Sequence, residues 1–187
     1  MATPSQTIRS LCIFCGAASG HDPKWYKTAH EMGFLLAEAG YTLIYGGGNT
    51  GLMGAIAEGA LVAKGEVIGI MPETLVLRER AHQGLTELEV VPDMATRKER
   101  MIELSDAFIS LPGGLGTLDE LFEVLTWYQI GLHQKPSFLL NQDGFYNALI
   151  QMIQEQDDAG FLHGKLPLSA SNSPQALLEL INTYQQT

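Results

Sequence analysis

Leu111-Pro112-Gly113-Gly114-Leu115-Gly116-Thr117-Leu118-Asp119-Glu120 is the stretch on which the reading of this chain turns. The run Ala107-Phe108-Ile109-Ser110 before it has the length and composition of a buried strand, and an unbroken helical pattern follows as far as Ile130. A strand that enters a helix through glycines is a cradle for an anion. With no Cβ in the way the backbone comes close to a ligand, and its amides converge with the unpaired N–H groups of the helix's first turn. The aligned peptide dipoles place roughly half a positive charge there, which suits a phosphate. Gly113, Gly114, Gly116 and the Thr117 hydroxyl are the expected phosphate-binding groups, and Glu120 is an acid set beside a site that attracts anions.

Outward from this stretch the same alternation repeats. Apolar runs at 8–14, 41–45, 67–71, 88–91 and 137–140 read as further strands, with a short extended piece near 167–169. Helical patterns occupy 23–39, 52–63, 93–105, 145–159 and 174–184, and the segment 72–83 is irregular and charged. Strands alternating with helices require crossover connections. The prediction is a single α/β domain over residues 1–187: a Rossmann-like, doubly wound parallel sheet of about six to seven strands with helices on both faces. The polar residues 1–7 are expected to be a flexible start. Ligands of such sheets sit beyond the carboxyl ends of the strands. This makes Cys15 and Gly16 after the first strand, and Gly47 and Gly48 after the second, candidates for lining the cleft. None of these turns carries GxGxxG and the P-loop lysine is missing, which favours a mononucleotide or sugar phosphate over a nicotinamide or a triphosphate.

Composition narrows the partners. With 11 basic and 21 acidic residues the net charge is −10, so no general attraction for nucleic acid or an anionic membrane is expected, and a phosphate must be held locally. No apolar run approaches the roughly 20 residues that span a bilayer, and no leader is evident, so a cytoplasmic protein is expected. Cys12 and Cys15 form a CxxC within or at the end of a strand, where residues three apart point to opposite faces; neither a shared metal nor a redox pair is expected. The histidines at 21, 30, 82, 133 and 163 have no metal-ligand spacing, and no metal is predicted.

Two side chains stand out for chemistry. On the helix after Asp93, the positions Met94, Arg97, Met101 and Leu104 share one face. An arginine there either snorkels to water over an apolar stripe or presents its planar fork to phosphate or ribose oxygens. Met94 joins the cleft candidates, and Lys98 is a second cation beside Arg97. Glu120 has two explanations as well. An acid in the first turn of a helix gains about 0.3 to 1 kcal/mol from the dipole. Alternatively, Glu120, with Glu123 on the same side of the helix, serves glycosidic cleavage, which needs a carboxylate to orient water and offset the positive charge on the sugar. Gly46-Gly47-Gly48 likewise reads either as part of the cleft or as a close-packed turn.

Pro112-Gly113-Gly114-Leu115-Gly116-Thr117-Leu118-Asp119-Glu120 resembles the PGGxGTxxE motif, and Arg97-Lys98-Glu99-Arg100-Met101 the RKxxM motif, of the LONELY GUY (LOG) family. The likeness extends to Phe14-Cys15-Gly16, Tyr45 to Gly48, Gly51 to Gly54 and Thr126 to Gly131. It implies a cytokinin riboside 5'-monophosphate phosphoribohydrolase, which releases free base and ribose 5-phosphate from an N6-modified adenosine 5'-monophosphate without metal or organic cofactor. Position by position, Arg97 and Glu120 match the family's catalytic pair, Gly113, Gly114, Gly116 and Thr117 its phosphate loop, and Lys98 and Glu79 its nucleotide contacts. The resemblance also implies a homodimer. The alternative is a non-catalytic nucleotide or phosphate-ligand carrier, akin to molybdenum-cofactor carriers. Two departures stand near the cleft: Ala17-Ala18 where the family often has serines, and Ala95 where it often has a polar residue. The preferred base is therefore not carried over.

Overall fold

The structure is a computed structural model and describes residues 7–76 and 80–184. Seven strands form one parallel sheet in the order β4-β3-β2-β1-β5-β6-β7. They are β1 Ser10–Phe14, β2 Thr42–Tyr45, β3 Val67–Pro72, β4 Glu87–Val91, β5 Ala107–Ser110, β6 Ser137–Leu140 and β7 Leu168–Ser171. The interior strands β1, β2, β5 and β6 are buried on both faces, which is why they read as continuous apolar runs rather than alternating ones. The edge strands β4 and β7 are more exposed and correspondingly more polar. The extended piece expected near 167–169 pairs with β6 as a full seventh strand.

The helices are α1 Pro23–Glu38, α2 Gly51–Val62, α3 Met94–Leu104, α4 Leu115–Gln129, α5 Asn147–Asp158 and α6 Pro174–Tyr184. One apolar cluster joins α1, α2 and α6 to one face of the sheet through Met32, Leu36, Ile56, Leu177 and Ile181. On the opposite face Met101 and Ile102 of α3 pack with Val124 of α4, and Leu121 and Leu125 of α4 pack with Leu149 and Ile153 of α5. The layers α/β/α and the doubly wound topology are those expected from the sequence. Cys12 and Cys15 are free thiols in opposite clusters, as period-2 geometry requires. The expected helix at 145–159 begins later, at Asn147, because the Asn141 side chain accepts a hydrogen bond from the Tyr146 amide at 2.7 Å and holds the entry as a turn.

This order makes a crevice. From β1 the chain winds to β2, β3 and β4 on one side, whereas β5, β6 and β7 lie on the other, so the loops leaving β1 and β5 diverge to opposite faces. At their start the two loops touch: a Cβ on Gly113 would lie 3.0 Å from the Gly16 amide nitrogen and 2.1 Å from Thr117 Oγ1. Gly113 is thus dictated by packing of the protein on itself. Among the described residues, no helix is long and apolar enough to cross a membrane. Residues 1–6 of the expected flexible start, and Glu79, lie outside the described residues.

Candidate active site

A cavity of about 480 Å³ opens at the carboxyl ends of β1 and β5, within the size range of small-molecule sites. Its walls are the β1 turn from Cys15 to Gly20, the β5 turn from Pro112 to Gly114, and Gly116, Thr117 and Glu120 on the first two turns of α4. Gly46 after β2, Leu52 and Met53 at the start of α2, and Arg97 of α3 close one side, and Trp25 and Phe145 the other.

Helix starts in this fold are of two kinds. Asp22 caps α1 and Asp93 caps α3, each accepting a hydrogen bond from a backbone amide at 2.9 and 2.8 Å. In contrast α4 begins at Gly114 and α2 at Thr50, neither with a side-chain cap. An anion in the cavity would meet the N–H groups that a cap elsewhere satisfies. Thr117 is 3% exposed, and its hydroxyl oxygen is buried without a hydrogen-bond partner. A buried hydroxyl left so is costly unless something else bonds it. At Gly114 and Gly116, unlike Gly113, a Cβ would meet nothing within 4 Å. Internal packing does not demand glycine there; side chains would instead occupy space beside the cavity.

Arg97 is 6% exposed despite its charge. Its Nε donates to the Ile70 carbonyl at 3.1 Å, its Nη2 to the Gly46 carbonyl at 3.2 Å, and its Nη1 contacts Met94 Sδ at 3.4 Å. Two strand-end carbonyls therefore fix the guanidinium, and the snorkelling alternative does not hold. Nη1 faces Glu120 Oε1 at 3.9 Å, with both side chains largely buried at 8% and 13% exposure. A Cβ on Gly46 would lie 1.7 Å from Nη2, so the missing side chain at 46 is the space in which the guanidinium sits. Cys15 also lines the cavity; burial first, and then the charge of Glu120, push its thiol well above the ordinary value against the opposing effect of Arg97. It is a neutral wall group.

The structure brings Arg97, Glu120, Gly113, Gly114, Gly116, Thr117, Cys15 and Gly16 to one cavity. Other expected site residues lie elsewhere. Gly47, at φ +78°, packs toward Met71 and Leu88, and Gly48 forms a bridge with Ala81; of the glycine triplet it is Gly46 that reaches the cavity. Met94 is 41% exposed and supports Arg97 through its sulfur instead of lining the wall. Glu123 and Lys98 pair with each other, 3.1 Å apart, outside this cavity. Ala17 and Ala18 do line it, bringing no hydroxyl, whereas Ala95 is exposed. Sequence reasoning missed Trp25 and Phe145, whose rings meet edge-on with centroids 5.7 Å apart. The one local sign was an aromatic in the first turn of a helix that starts beside the β1 loop. Among the described residues no cluster of three His, Cys, Asp or Glu side chains is arranged to hold a metal.

Comparisons with known proteins agree in kind. A family described as possible lysine decarboxylase matches residues 53–179. A cytokinin riboside 5'-monophosphate phosphoribohydrolase of Arabidopsis thaliana is 40% identical over 183 residues, covering 96% of this chain and 84% of the relative. A protein of the same description from Rhodococcoides fascians is 48% identical over 157 residues, 83% of this chain and 79% of that one. Among solved structures, the molybdenum cofactor binding protein of Rippkaea orientalis is 27% identical with a TM-score of 0.71, covering 95% of this chain and 97% of that one. The molybdenum cofactor carrier protein of Chlamydomonas reinhardtii, 18% identical with a TM-score of 0.75 over 97% of this chain and all of its own, shows the fold alone.

Proposed function

Because the chain belongs to the LONELY GUY (LOG) family, matching it over most of its length, we propose that it hydrolyses the N-glycosidic bond of an adenosine 5'-monophosphate, plain or N6-modified, to free base and ribose 5-phosphate. The observation that carries this reading is the approach of Arg97 to Glu120, 3.9 Å apart, in the cavity that also receives the uncapped start of α4. The phosphate sits on the amides of Gly114 to Thr117, with the Thr117 hydroxyl as a further donor. The ribose then extends along α4, and Glu120, one turn on from Gly116, reaches toward C1'. As the C1'–N9 bond breaks its electron pair leaves with the base, positive charge grows on the sugar, and the Glu120 carboxylate offsets it while orienting the water that adds to C1'; the proton this water gives up ends on the departing base. Arg97 holds the carboxylate in place and offers its remaining N–H groups to ribose or phosphate oxygens.

The direct test is incubation with AMP, its N6-isopentenyl derivative, GMP and CMP, with free base separated by chromatography. Base and ribose 5-phosphate in equal amounts are expected from one or both adenine nucleotides, and undiminished by a chelator. No base from any of the four would overturn the reading. Thr117→Val offers a finer check on the phosphate. The isosteric swap removes an unsatisfied hydroxyl, so thermal stability should hold or rise slightly, while KM rises about 5- to 30-fold through the lost hydrogen bond to a charged group. An unchanged KM would place the phosphate elsewhere.

A second reading, a carrier that holds a phosphorylated ligand uncleaved, is favoured by the likeness to the Rippkaea orientalis molybdenum cofactor binding protein. A carrier has no use for a carboxylate facing an arginine beside its phosphate site, and the base-release assay separates the two. Decarboxylation of lysine through pyridoxal phosphate needs a lysine to hold that group. Among the described residues none lines the cavity. The proposal includes a homodimer in the cytoplasm, acting on small molecules and not on nucleic acid. It draws on the −10 charge and on Leu115, Ile130 and Leu132, which are 85%, 64% and 63% exposed. Light scattering should return twice the chain mass, and a stable monomer would count against the dimer.

A further inference from the structure

Lys98 carries no role in the chemistry above, yet it makes the tightest ionic contacts near it. Its ammonium lies 3.1 Å from Asp119 Oδ2 and 3.1 Å from Glu123 Oε2, the side chains of Lys98 and Glu123 being 18% and 24% exposed. Asp119 and Glu123 flank Glu120 on α4, and Lys98 follows Arg97 on α3. Successive helical residues point about 100° apart. Arg97 accordingly turns into the cavity while Lys98 turns across to the neighbouring helix. The cations divide the acids between them: Arg97 faces Glu120, and Lys98 takes the two acids on either side.

We propose that Lys98 is a positioning residue, which holds α4 against α3 and neutralises Asp119 and Glu123, so that Glu120 alone presents its carboxylate to Arg97 and the substrate. The role goes beyond the hydrolase reading but rests on it for its effect on turnover. Apart from the apolar cluster that Met101 and Ile102 share with Val124 and Trp127, the two helices lean on the sheet more than on each other. Register between Arg97 and Glu120 therefore depends on the side-chain bridge. Glu123 Oε2 is shielded from solvent. Without Lys98 it would be a partly buried charge one turn from Glu120, repelling that carboxylate and competing with it for Arg97. Partial burial opposes the charge on Lys98, but the two carboxylates outweigh it and hold the ammonium above its ordinary value. Lys98 is not in the wall of the main cavity; with Glu120 and Glu123 it lines a small pocket that adjoins it.

The test compares Lys98→Met, Lys98→Arg and the double variant Lys98→Met with Glu123→Gln. For Lys98→Met, kcat should fall about 10- to 100-fold, as for a misplaced reacting group, with the Kd for AMP and the KM changed less than about threefold. Lys98→Arg keeps the bridge and should retain most of kcat; it also serves as the folded variant if the methionine form proves unstable. The double variant, which removes the orphaned charge, should recover most of the lost kcat. A direct nucleotide contact predicts the reverse, a weakened Kd with no recovery in the double variant, and that pattern would overturn the proposal. A readout independent of turnover is the carbon-13 titration of the Glu120 carboxyl, which faces Arg97 on α3 and has Lys98 on α3, Asp119 and Glu123 on α4 and the neutral Cys15 thiol after β1 around it. It should move to higher pH in Lys98→Met and return in the double variant. An unmoved titration would sink the clamp even if the wild type released no base, an outcome that would separately end the hydrolase reading.

Discussion

Glu120→Gln should lower base release from AMP by about a thousandfold or more while AMP still binds within about threefold of the wild-type affinity. Glutamine keeps the shape of the side chain and its ability to bond water, so the cavity and the phosphate cradle are unchanged. It loses the charge, and the charge matters when the sugar turns cationic. Interactions stronger in the transition state than in the bound substrate act on kcat, and their loss leaves ground-state binding nearly intact. Arg97 would remain held by the carbonyls of Ile70 and Gly46, so the protein should stay folded. Its melting temperature should drop slightly, because the pair that is lost is a long one at 3.9 Å and the guanidinium keeps both carbonyl partners. The measurements are single-turnover release of adenine and calorimetric titration with AMP. Retained turnover, or AMP binding lost together with turnover, would remove Glu120 from its assigned place.

Gly46→Ala is expected to cost about a hundredfold in kcat/KM, although residue 46 has no side chain to contribute. The added methyl would lie 1.7 Å from Arg97 Nη2 and 3.0 Å from Met53 Sδ. The guanidinium must leave its seat, and it gives up the Gly46 hydrogen bond and its alignment with Glu120. Overpacking of a buried position adds about 1 to 3 kcal/mol of destabilisation, visible in denaturant melts. The route through Arg97 is checked by combination. In an Arg97→Ala background the methyl fills space the guanidinium vacated, so Gly46→Ala should change kcat/KM by less than about twofold there. Equal losses in both backgrounds would mean that the glycine acts on the substrate directly. A single variant within about threefold of wild type would show that Arg97 has another productive seat.

The architecture was legible in the sequence because its signals are local. Ala107 to Ser110 leads through glycines into the helix at Leu115, and that unit, recurring along the chain, dictates parallel strands with crossovers on both faces. The same local chemistry announced the glycine-lined, uncapped start of α4, since the amides of Gly114 to Thr117 belong to one turn of helix. Arg97 stood out only as a charge on an apolar helical stripe, and Glu120 only as an acid where anions are attracted.

Everything that depends on which side chain meets which across the fold came from the tertiary structure. Arg97 is seated by carbonyls 27 and 51 residues away in the chain, and that pairing is what separates Gly46 from Gly47 and Gly48, three identical letters in a row. Lys98, grouped by adjacency with Arg97, turns instead to Asp119 and Glu123, because one residue along a helix is a rotation of about 100°. Trp25, in the first turn of α1, and Phe145, in the turn before α5, reach one cavity wall from segments far apart in the chain. Periodicity and turn chemistry act between residues a few positions apart and so are written along the chain. The contacts that shape the site act between residues that only the packed sheet brings together.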